Sequence, residues 1–379
     1  MRIAVNTRLL LPGKLEGIGW FAHETLRRIT AKHPEHRFIY FFDRPYDAQF
    51  VHGPNVTPVV LPPPTRHPLL YRIWFNWMLP RALRKHRADV FLSPDGYLSL
   101  RTAMPQLAVM HDLNFEHFPQ DLPPAYSRYY RSFFPRFAEK AARIVTVSEF
   151  SKQDIVKTYG VAPEKVDVVH NGIGPVFTPL AEGEKGIARK RLTGGKPYFV
   201  CVGSLHPRKN IARLLEAFDR MAGKEPEARL VIVGEAFWWD ARMKAAWAAM
   251  RHTDKVTFTG RLQQHELHQT LADALALVFV SYFEGFGIPV AEAMKCGVPV
   301  VAAHATSLPE VAGDAAIFCD PFNVESMAEA MARVWNDTAL RERLATAGLA
   351  RPARFSWDST AEGLWRSLER VMATVKPGN

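Results

Sequence analysis

Ser281-Tyr-Phe-Glu-Gly-Phe-Gly-Ile-Pro-Val-Ala-Glu-Ala-Met294 follows an apolar run, Ala274 to Val280, and opens a helical pattern. A short apolar run ahead of a glycine turn reads as a buried parallel strand, so the stretch reads as strand, loop and helix. Gly285 and Gly287 let the backbone turn tightly and approach a ligand with no Cβ in the way. Pro289 suits the first turn of a helix, where its missing N–H costs nothing. Backbone amides from Phe286 to Ile288 are therefore expected to face solvent at a positive helix end, where phosphates and hydroxyls are favoured. Glu284 in the loop and Glu292 in the helix frame this turn, and a carboxylate accepts hydrogen bonds from sugar or ribose hydroxyls. The plainer alternative is a glycine turn and a capped helix whose glutamates face water.

A second unit of the same kind begins at the strand Tyr198 to Val202, continues through Gly203-Ser-Leu-His-Pro-Arg-Lys-Asn210 and enters the helix Ile211 to Met221. Gly203 and Ser204 sit in the turn, and Arg208 and Lys209 lie at the strand-to-helix junction. There a helix dipole and two cations together suit a diphosphate. Leu230 to Val233 before Gly234-Glu235, and Val256 to Phe258 before Gly260-Arg-Leu262, read as further strand ends on the same edge. Phe237, Trp238 and Trp239 either border a bound base or pack as helix core. Val298 to Ala302 reads as another strand, followed by Thr306-Ser307-Leu308, and the helices Val324 to Trp335, Leu340 to Ala347 and Trp357 to Thr374 finish the chain.

The first half shows the same alternation. Strands are expected at Ile3 to Val5, Phe38 to Phe42, Val56 to Leu61, Val90 to Leu92, Leu107 to Met110, Ile144 to Val147 and Val166 to Val169. After the first strand, Glu16-Gly-Ile-Gly-Trp20 opens an amphipathic helix; Gly17 and Gly19 either hold an anion or form a plain turn. His111-Asp112 ends a strand at the edge where open α/β sheets bind ligands. By itself such a histidine is as well explained by a structural hydrogen bond, with Asp112 as the group expected to fix its tautomer. The polar segment Gly174 to Lys196 reads as a linker, after which the strand–helix alternation restarts. Between Arg66 and Arg87, Leu69, Leu70, Ile73, Trp74, Trp77 and Met78 recur at helical spacing among Arg66, Arg72, Arg81, Arg84, Lys85 and Arg87. Either the apolar stripe packs on the sheet and the cations are solvated, or the helix rests on an anionic membrane surface.

Size and composition bound these readings. A chain of 379 residues exceeds one hydrophobic core, so two domains are expected, and 47% hydrophobic content marks a globular protein. The net charge of +10 suits acidic partners, but the basic residues are dispersed and no nucleic-acid-binding module is recognised. Cys201, Cys296 and Cys319 are scattered in apolar contexts, which argues against a disulfide framework or a zinc site. No signal-peptide pattern opens the sequence, and no run reaches the ~18 apolar residues that span a bilayer. The expectation is a cytoplasmic protein, with peripheral membrane contact open.

Glu284 and Glu292, with seven residues between them and Gly-Phe-Gly-Ile-Pro inside, resemble the paired-Glu motif of the retaining glycosyltransferases of family 4. The Arg208-Lys209-Asn210 element, His111-Asp112 and His170-Asn-Gly-Ile173 are similar to motifs of the same family. The resemblance implies the GT-B fold, two doubly wound parallel-sheet domains facing a central cleft. Residues 1–175 would form the acceptor-side domain, with the C-terminal segment 357–379 packing back on it, and 196–356 the nucleotide-sugar domain. It implies that His111 contacts the transferred sugar, that Glu284 holds hexose hydroxyls and Glu292 the ribose, and that Arg208 and Lys209 grip the diphosphate. Gly17, Gly19, Gly203, Ser204, Gly234, Leu262, Gly285, Phe286, Gly287 and Ile288 would line the donor. The implied activity is transfer of a hexose, mannose from GDP-mannose as first guess, to a saccharide or lipid-linked acceptor in bacterial glycan synthesis. No Asp-x-Asp occurs in the chain, so no catalytic metal and no cofactor beyond the nucleotide sugar are expected. A silent nucleotide-sugar-binding protein and a sugar-nucleotide epimerase are the alternatives.

Overall fold

The computed structural model of the protein describes residues 1–235, 239–351 and 354–375. The chain divides into two compact units, one built from Met1–Gly172 together with the segment that starts at Trp357, the other from Ile173–Ser356.

The first unit contains seven strands: β1 (Arg2–Asn6), β2 (Arg37–Phe42), β3 (Val56–Val60), β4 (Val90–Ser93), β5 (Gln106–Val109), β6 (Arg143–Thr146) and β7 (Val166–Val168). They form one wholly parallel sheet in the order β3-β2-β1-β4-β5-β6-β7. Helices cover both faces of such a sheet, which is why its strands are continuous apolar runs; Ile3, Ala4 and Val5 are fully buried. The order reverses between β1 and β4, which makes that gap the switch point of the sheet. The helix Trp357–Met372 belongs to this unit and packs on the helix Gly17–Lys32, where Trp365 stacks on His33 (3.6 Å between centroids) and Arg28 binds Asp358 at 3.2 Å. Asp167 secures its other end by accepting from Arg143, Ser367 and Arg370 at 2.6–2.9 Å. Residues 376–379 of the expected C-terminal segment lie outside the described residues.

The basic stretch 66–87 is one broken helix: an α-helix Pro68–Ile73, a wide π turn Trp74–Met78, and an α-helix Leu79–Lys85. Pro80 explains the break, because it has no N–H to give the Asn76 carbonyl and its ring crowds that carbonyl. The wide turn rotates the apolar stripe. Trp74, Phe75, Leu79 and Leu83 are buried in the core, whereas Leu69 and Trp77 are left 56% and 47% exposed.

The second unit holds β8 (Tyr198–Val202), β9 (Arg229–Val233), β10 (Val256–Gly260), β11 (Ala276–Phe279), β12 (Val300–Ala303) and β13 (Ala316–Cys319). This sheet is also parallel throughout, in the order β10-β9-β8-β11-β12-β13, with its switch point between β8 and β11. The segment 174–196, expected as a linker, is part of this unit and carries a helix, Ile187–Thr193. Asp273, distant in sequence, fixes its start by accepting from the backbone N–H of Gly186 (2.9 Å) and Arg189 (2.8 Å). The three cysteines are buried and unpaired.

At the carboxyl edge of this sheet two glycines meet. Gly234 has φ 152°, and a Cβ there would come within 1.9 Å of the Gly203 carbonyl oxygen. Gly234→Ala is therefore expected to cost about 2 kcal/mol or more, from backbone strain and from the displaced loop. A urea midpoint equal to that of the unsubstituted protein would show that the 203–210 loop moves aside freely.

Candidate functional site

In an open parallel sheet, ligands bind beyond the carboxyl ends of the strands where the order reverses. In the second unit the loops that follow β8 and β11 meet at that point. The loop after β8 ends in a short 3-10 turn, Pro207–Lys209, and Asn210 then takes left-handed angles (φ 62°) before the helix Ile211–Ala222. Asparagine tolerates that conformation better than most residues. Its side-chain amide donates to the carbonyls of Val280 (3.1 Å) and Pro321 (2.6 Å), tying the loop to its neighbours. Arg208 and Lys209 are thereby aimed at a single carboxylate. Lys209 Nζ lies 2.6 Å from Glu284 Oε1, and Arg208 Nη1 lies 2.6 Å from Glu284 Oε2. The ammonium also sits 4.6 Å from the Phe279 ring centroid, and Arg208 Nη1 donates to the Phe283 carbonyl at 3.1 Å.

Glu284 is held at both ends. Its backbone N–H donates to Thr306 Oγ1 (3.1 Å), and its carbonyl accepts from Ser307 Oγ (2.9 Å). The residue is 6% exposed. Burial alone would raise the carboxyl pKa, but the charges of Arg208 and Lys209 outweigh it and bring the group down to about 2. Glu284 is thus ionised throughout the physiological range, and the triad keeps one net positive charge. Glu292 is the opposite case. It lies in the helix Ile288–Lys295, which starts after Gly287 (φ 94°) with Pro289 in its first turn. Burial pushes its carboxyl up to about 8, with only partial opposition from Lys295.

The amides of residues 286–288 do not all face solvent as expected. Phe286 is 3% exposed with its ring edge-on to Phe355 at 5.2 Å, Gly287 is buried, and only Ile288 is partly open. A Cβ at Gly287 would lie 2.6 Å from Leu308, so the 306–308 turn covers this loop. Ser307 and Leu308 are themselves fully buried, and the Leu308 amide is bonded to Ala305 at 3.2 Å. Gly203 and Gly234 extend the sheet ladder beyond β8 and β9, their amides donating to Val233 (2.9 Å) and Gly260 (3.0 Å). Ser204 and Leu262 lie half-buried nearby, and Gly285 is buried. Phe237 and Trp238 lie outside the described residues; Trp239 packs into the core against Phe258.

His111, Gly17 and Gly19 belong to the first unit. His111 Nε2 is 2.8 Å from the Pro94 carbonyl oxygen, so Nε2 carries a proton. Burial lowers the pKa of this imidazole below its ordinary value, and the ring meets Phe21 edge-on at 5.0 Å. Asp112, expected as the group that fixes the tautomer, instead accepts from the Asn114 N–H at 3.0 Å; the Pro94 carbonyl takes that part. Gly17 is exposed in the first helical turn. Gly19 is buried, and a Cβ there would press on Leu9 and Leu15 at 3.1 Å, so it permits close packing of the preceding loop. Among the described residues no group of three or more His, Cys, Asp or Glu is arranged to hold a metal ion.

Two family descriptions cover this architecture. Residues 15–176 match Glycosyltransferase Family 4, and residues 184–351 match Glycosyl transferases group 1. The chain belongs to the family 4 glycosyltransferases. This glycosyltransferase is 29% identical over 303 residues to the O-antigen chain mannosyltransferase B of Escherichia coli, spanning 78% of each chain. It is 30% identical over 246 residues to the MMP alpha-(1->4)-mannosyltransferase of Mycolicibacterium hassiacum, spanning 63% of this chain and 57% of that one. In fold it is similar to sucrose-phosphate synthase of Thermosynechococcus elongatus (TM-score 0.81, 18% identity, 98% and 99% of the two chains). It is also similar to HepE of Anabaena in complex with UDP and glucose (TM-score 0.77, 20% identity, 97% and 99%). Two parallel-sheet domains of the GT-B fold are thus shared across these proteins.

Reading the sequence missed Thr306 and Phe279 as partners of the triad. Thr306 adopts φ 52°, unusual for a β-branched residue, and nothing in Ala305-Thr-Ser307 announces it. Phe279 was legible only as a strand residue.

Because burial raises the Glu292 carboxyl above its unfolded value, the folded state binds this proton more tightly. The associated stability is complete below about pH 4.5 and fades as pH rises toward about 8. Glu292→Gln is expected to match the unsubstituted glycosyltransferase in Tm at about pH 5 and to exceed it at about pH 9. A Tm difference that stays constant across that range would mean that Glu292 does not carry the raised pKa.

Proposed function

We propose that this glycosyltransferase moves a mannosyl residue from a nucleoside-diphosphate sugar, GDP-mannose, to an acceptor hydroxyl with retention of configuration, in the synthesis of a surface polysaccharide or lipid-linked glycan. The observation that carries the reading is the Arg208–Lys209–Glu284 triad at the switch point of the second sheet, with its one net positive charge. A diphosphate arriving there meets a buried ammonium and a half-buried guanidinium that are already oriented. Each charge-assisted hydrogen bond is worth roughly 1.5 to 3 kcal/mol. Similarity to two mannosyltransferases, one of them of an O-antigen chain, supports the choice of sugar and setting.

In the proposed reaction the bond between the hexose anomeric carbon and the phosphate oxygen breaks, and a bond from that carbon to the acceptor oxygen forms on the same face. The acceptor proton passes to an oxygen of the departing phosphate. Arg208 and Lys209 stabilise the charge that gathers on the leaving diphosphate, where preorganised groups act most strongly. As they turn to it, Glu284 is released from its ion pairs to accept from hexose hydroxyls. A glycosidase-like double displacement fits less well, because it needs a carboxylate free to attack the anomeric carbon, and in this reading Glu284 is engaged by the hexose hydroxyls and Glu292 by the ribose. Glu292, once ionised, accepts from the ribose, and His111 offers Nδ1 to a substrate hydroxyl. We propose that no divalent metal is required, since the two cations supply the charge that one would bring.

A partner follows from the first unit. We assign the stretch Arg66 to Arg87 to an anionic membrane surface, supported by the exposed Leu69 and Trp77 among its arginines. Among the described residues no helix is long and apolar enough to cross a membrane, so contact would be peripheral. Leu69→Glu with Trp77→Glu should weaken co-sedimentation with phosphatidylglycerol vesicles by about tenfold and leave neutral vesicles unaffected. Equal binding by both proteins would remove this surface from the proposal.

The donor reading is tested by thermal shift with UDP, GDP, ADP and their sugars in the presence of EDTA, followed by turnover. A ligand at 100 times its Kd raises stability by about 2.7 kcal/mol. A shift by GDP and GDP-mannose that depends on Lys209 supports the assignment; a shift by uridine or adenosine nucleotides alone overturns the choice of donor. Lys209→Ala is expected to lower kcat/KM by roughly 10²- to 10³-fold. A loss below about threefold would remove Lys209 from the mechanism. Tight nucleotide-sugar binding with no transfer to any glycan acceptor would favour a silent binding protein.

A further inference from the structure

The first sheet has its own switch point, between β1 and β4, and there the chain buries an ion pair. Asp95, in the turn after β4, accepts from Arg8 Nε (2.6 Å), Asn6 Nδ2 (2.7 Å), Ser93 Oγ (2.9 Å) and the Tyr97 N–H (3.4 Å). Arg8 is 8% exposed and lies over the Tyr97 ring at 4.3 Å. A buried pair of this kind often adds no more stability than apolar side chains of equal volume, because desolvating both charges is expensive. What it does impose is geometry. Asp95 and Ser93 are each fixed, so the peptide between them is fixed too, and that peptide contains Pro94. The Pro94 carbonyl is the acceptor for His111 Nε2–H at 2.8 Å. With Phe21 edge-on to the same ring, the imidazole is held in one orientation and one tautomer. Its Nδ1 is left as a hydrogen-bond acceptor.

We propose that Asp95, neutralised by Arg8, is a positioning residue for His111: it fixes the Pro94 carbonyl, which keeps His111 in the Nε2–H tautomer and presents Nδ1 to a substrate hydroxyl. This rests on the reading of His111 as a substrate contact, but the positioning itself can be observed without substrate. Outer partners that orient a metal-bound histidine are worth roughly 10- to 100-fold in affinity or activity, and the lower end of that scale is expected for a histidine that only contacts substrate.

The test is ¹⁵N NMR of the full chain with labelled histidine, beside kinetics with the donor that shifts the melt. In the unsubstituted protein His111 should be the Nε2–H tautomer. In Asp95→Asn, which loses the charge but keeps the shape, the signal should move to a mixture of tautomers. With the fold intact by circular dichroism, kcat should fall about tenfold and the donor KM should stay within about twofold. If Asp95→Asn does not fold, Arg8→Met combined with Asp95→Leu is read in its place, since removing both charges leaves none unpaired. A folded variant in which His111 remains wholly Nε2–H overturns the proposal, as does a rise in KM with kcat unchanged. A changed tautomer together with unchanged kcat would keep the positioning link and overturn the role of His111 toward substrate.

Discussion

The carboxylate of Glu284 shared between Lys209 and Arg208 is the contact on which the second unit is arranged. Two cations brought together in a buried loop would repel and stay hydrated; one carboxylate between them makes the arrangement tolerable and leaves a single net charge. The surroundings serve that contact. Asn210 anchors the cationic loop, Thr306 and Ser307 hold the backbone of Glu284, and Gly203, where a Cβ would come within 3.0 Å of Lys209 Cε, leaves room for the lysine side chain. The fold and the site are one problem in packing.

Two sheets of the same topology put their switch points to different uses. In the second unit two cations share one carboxylate, Glu284. In the first unit Arg8 and Asp95 cancel, so the equivalent gap is filled and neutral. That contrast explains why an anionic donor is assigned to the second unit, and why the first is left to present a neutral histidine. Glu284 and Glu292 differ in the same manner. They lie on one short stretch of chain, yet cations hold one ionised while burial holds the other protonated near neutrality.

What the sequence disclosed was what local rules govern. Short apolar runs located most strands to within a residue or two, because parallel strands covered on both faces have no polar side to confuse the pattern. The Gly-Phe-Gly-Ile-Pro turn and the Arg-Lys-Asn element were legible for similar reasons. The rest was not local. β13, Ala316–Cys319, is a four-residue edge strand, too short for its apolar pattern to stand out between Gly313-Asp314 and Asp320-Pro321. The segment 174–196 looks like a linker because Asp273, which caps its helix, is far away in the chain. The hold on His111 comes from a backbone carbonyl, which has no signature in any side chain, and so Asp112, the nearer carboxylate, was read as its partner. The buried face of Phe286 could not be foreseen without the 306–308 turn above it.

The helix Trp357–Met372 completes the first unit although the whole of the second unit precedes it in the chain. On the ribosome, therefore, the protein is not made one unit after the other. The second sheet is complete and free to fold while the first still lacks the partner for His33 and two of the side chains that secure Asp167. Domains generally fold as units during synthesis. Here the unit begun first is finished last, and during that interval the face of the helix Gly17–Lys32 that the last helix will cover stays exposed on the nascent chain.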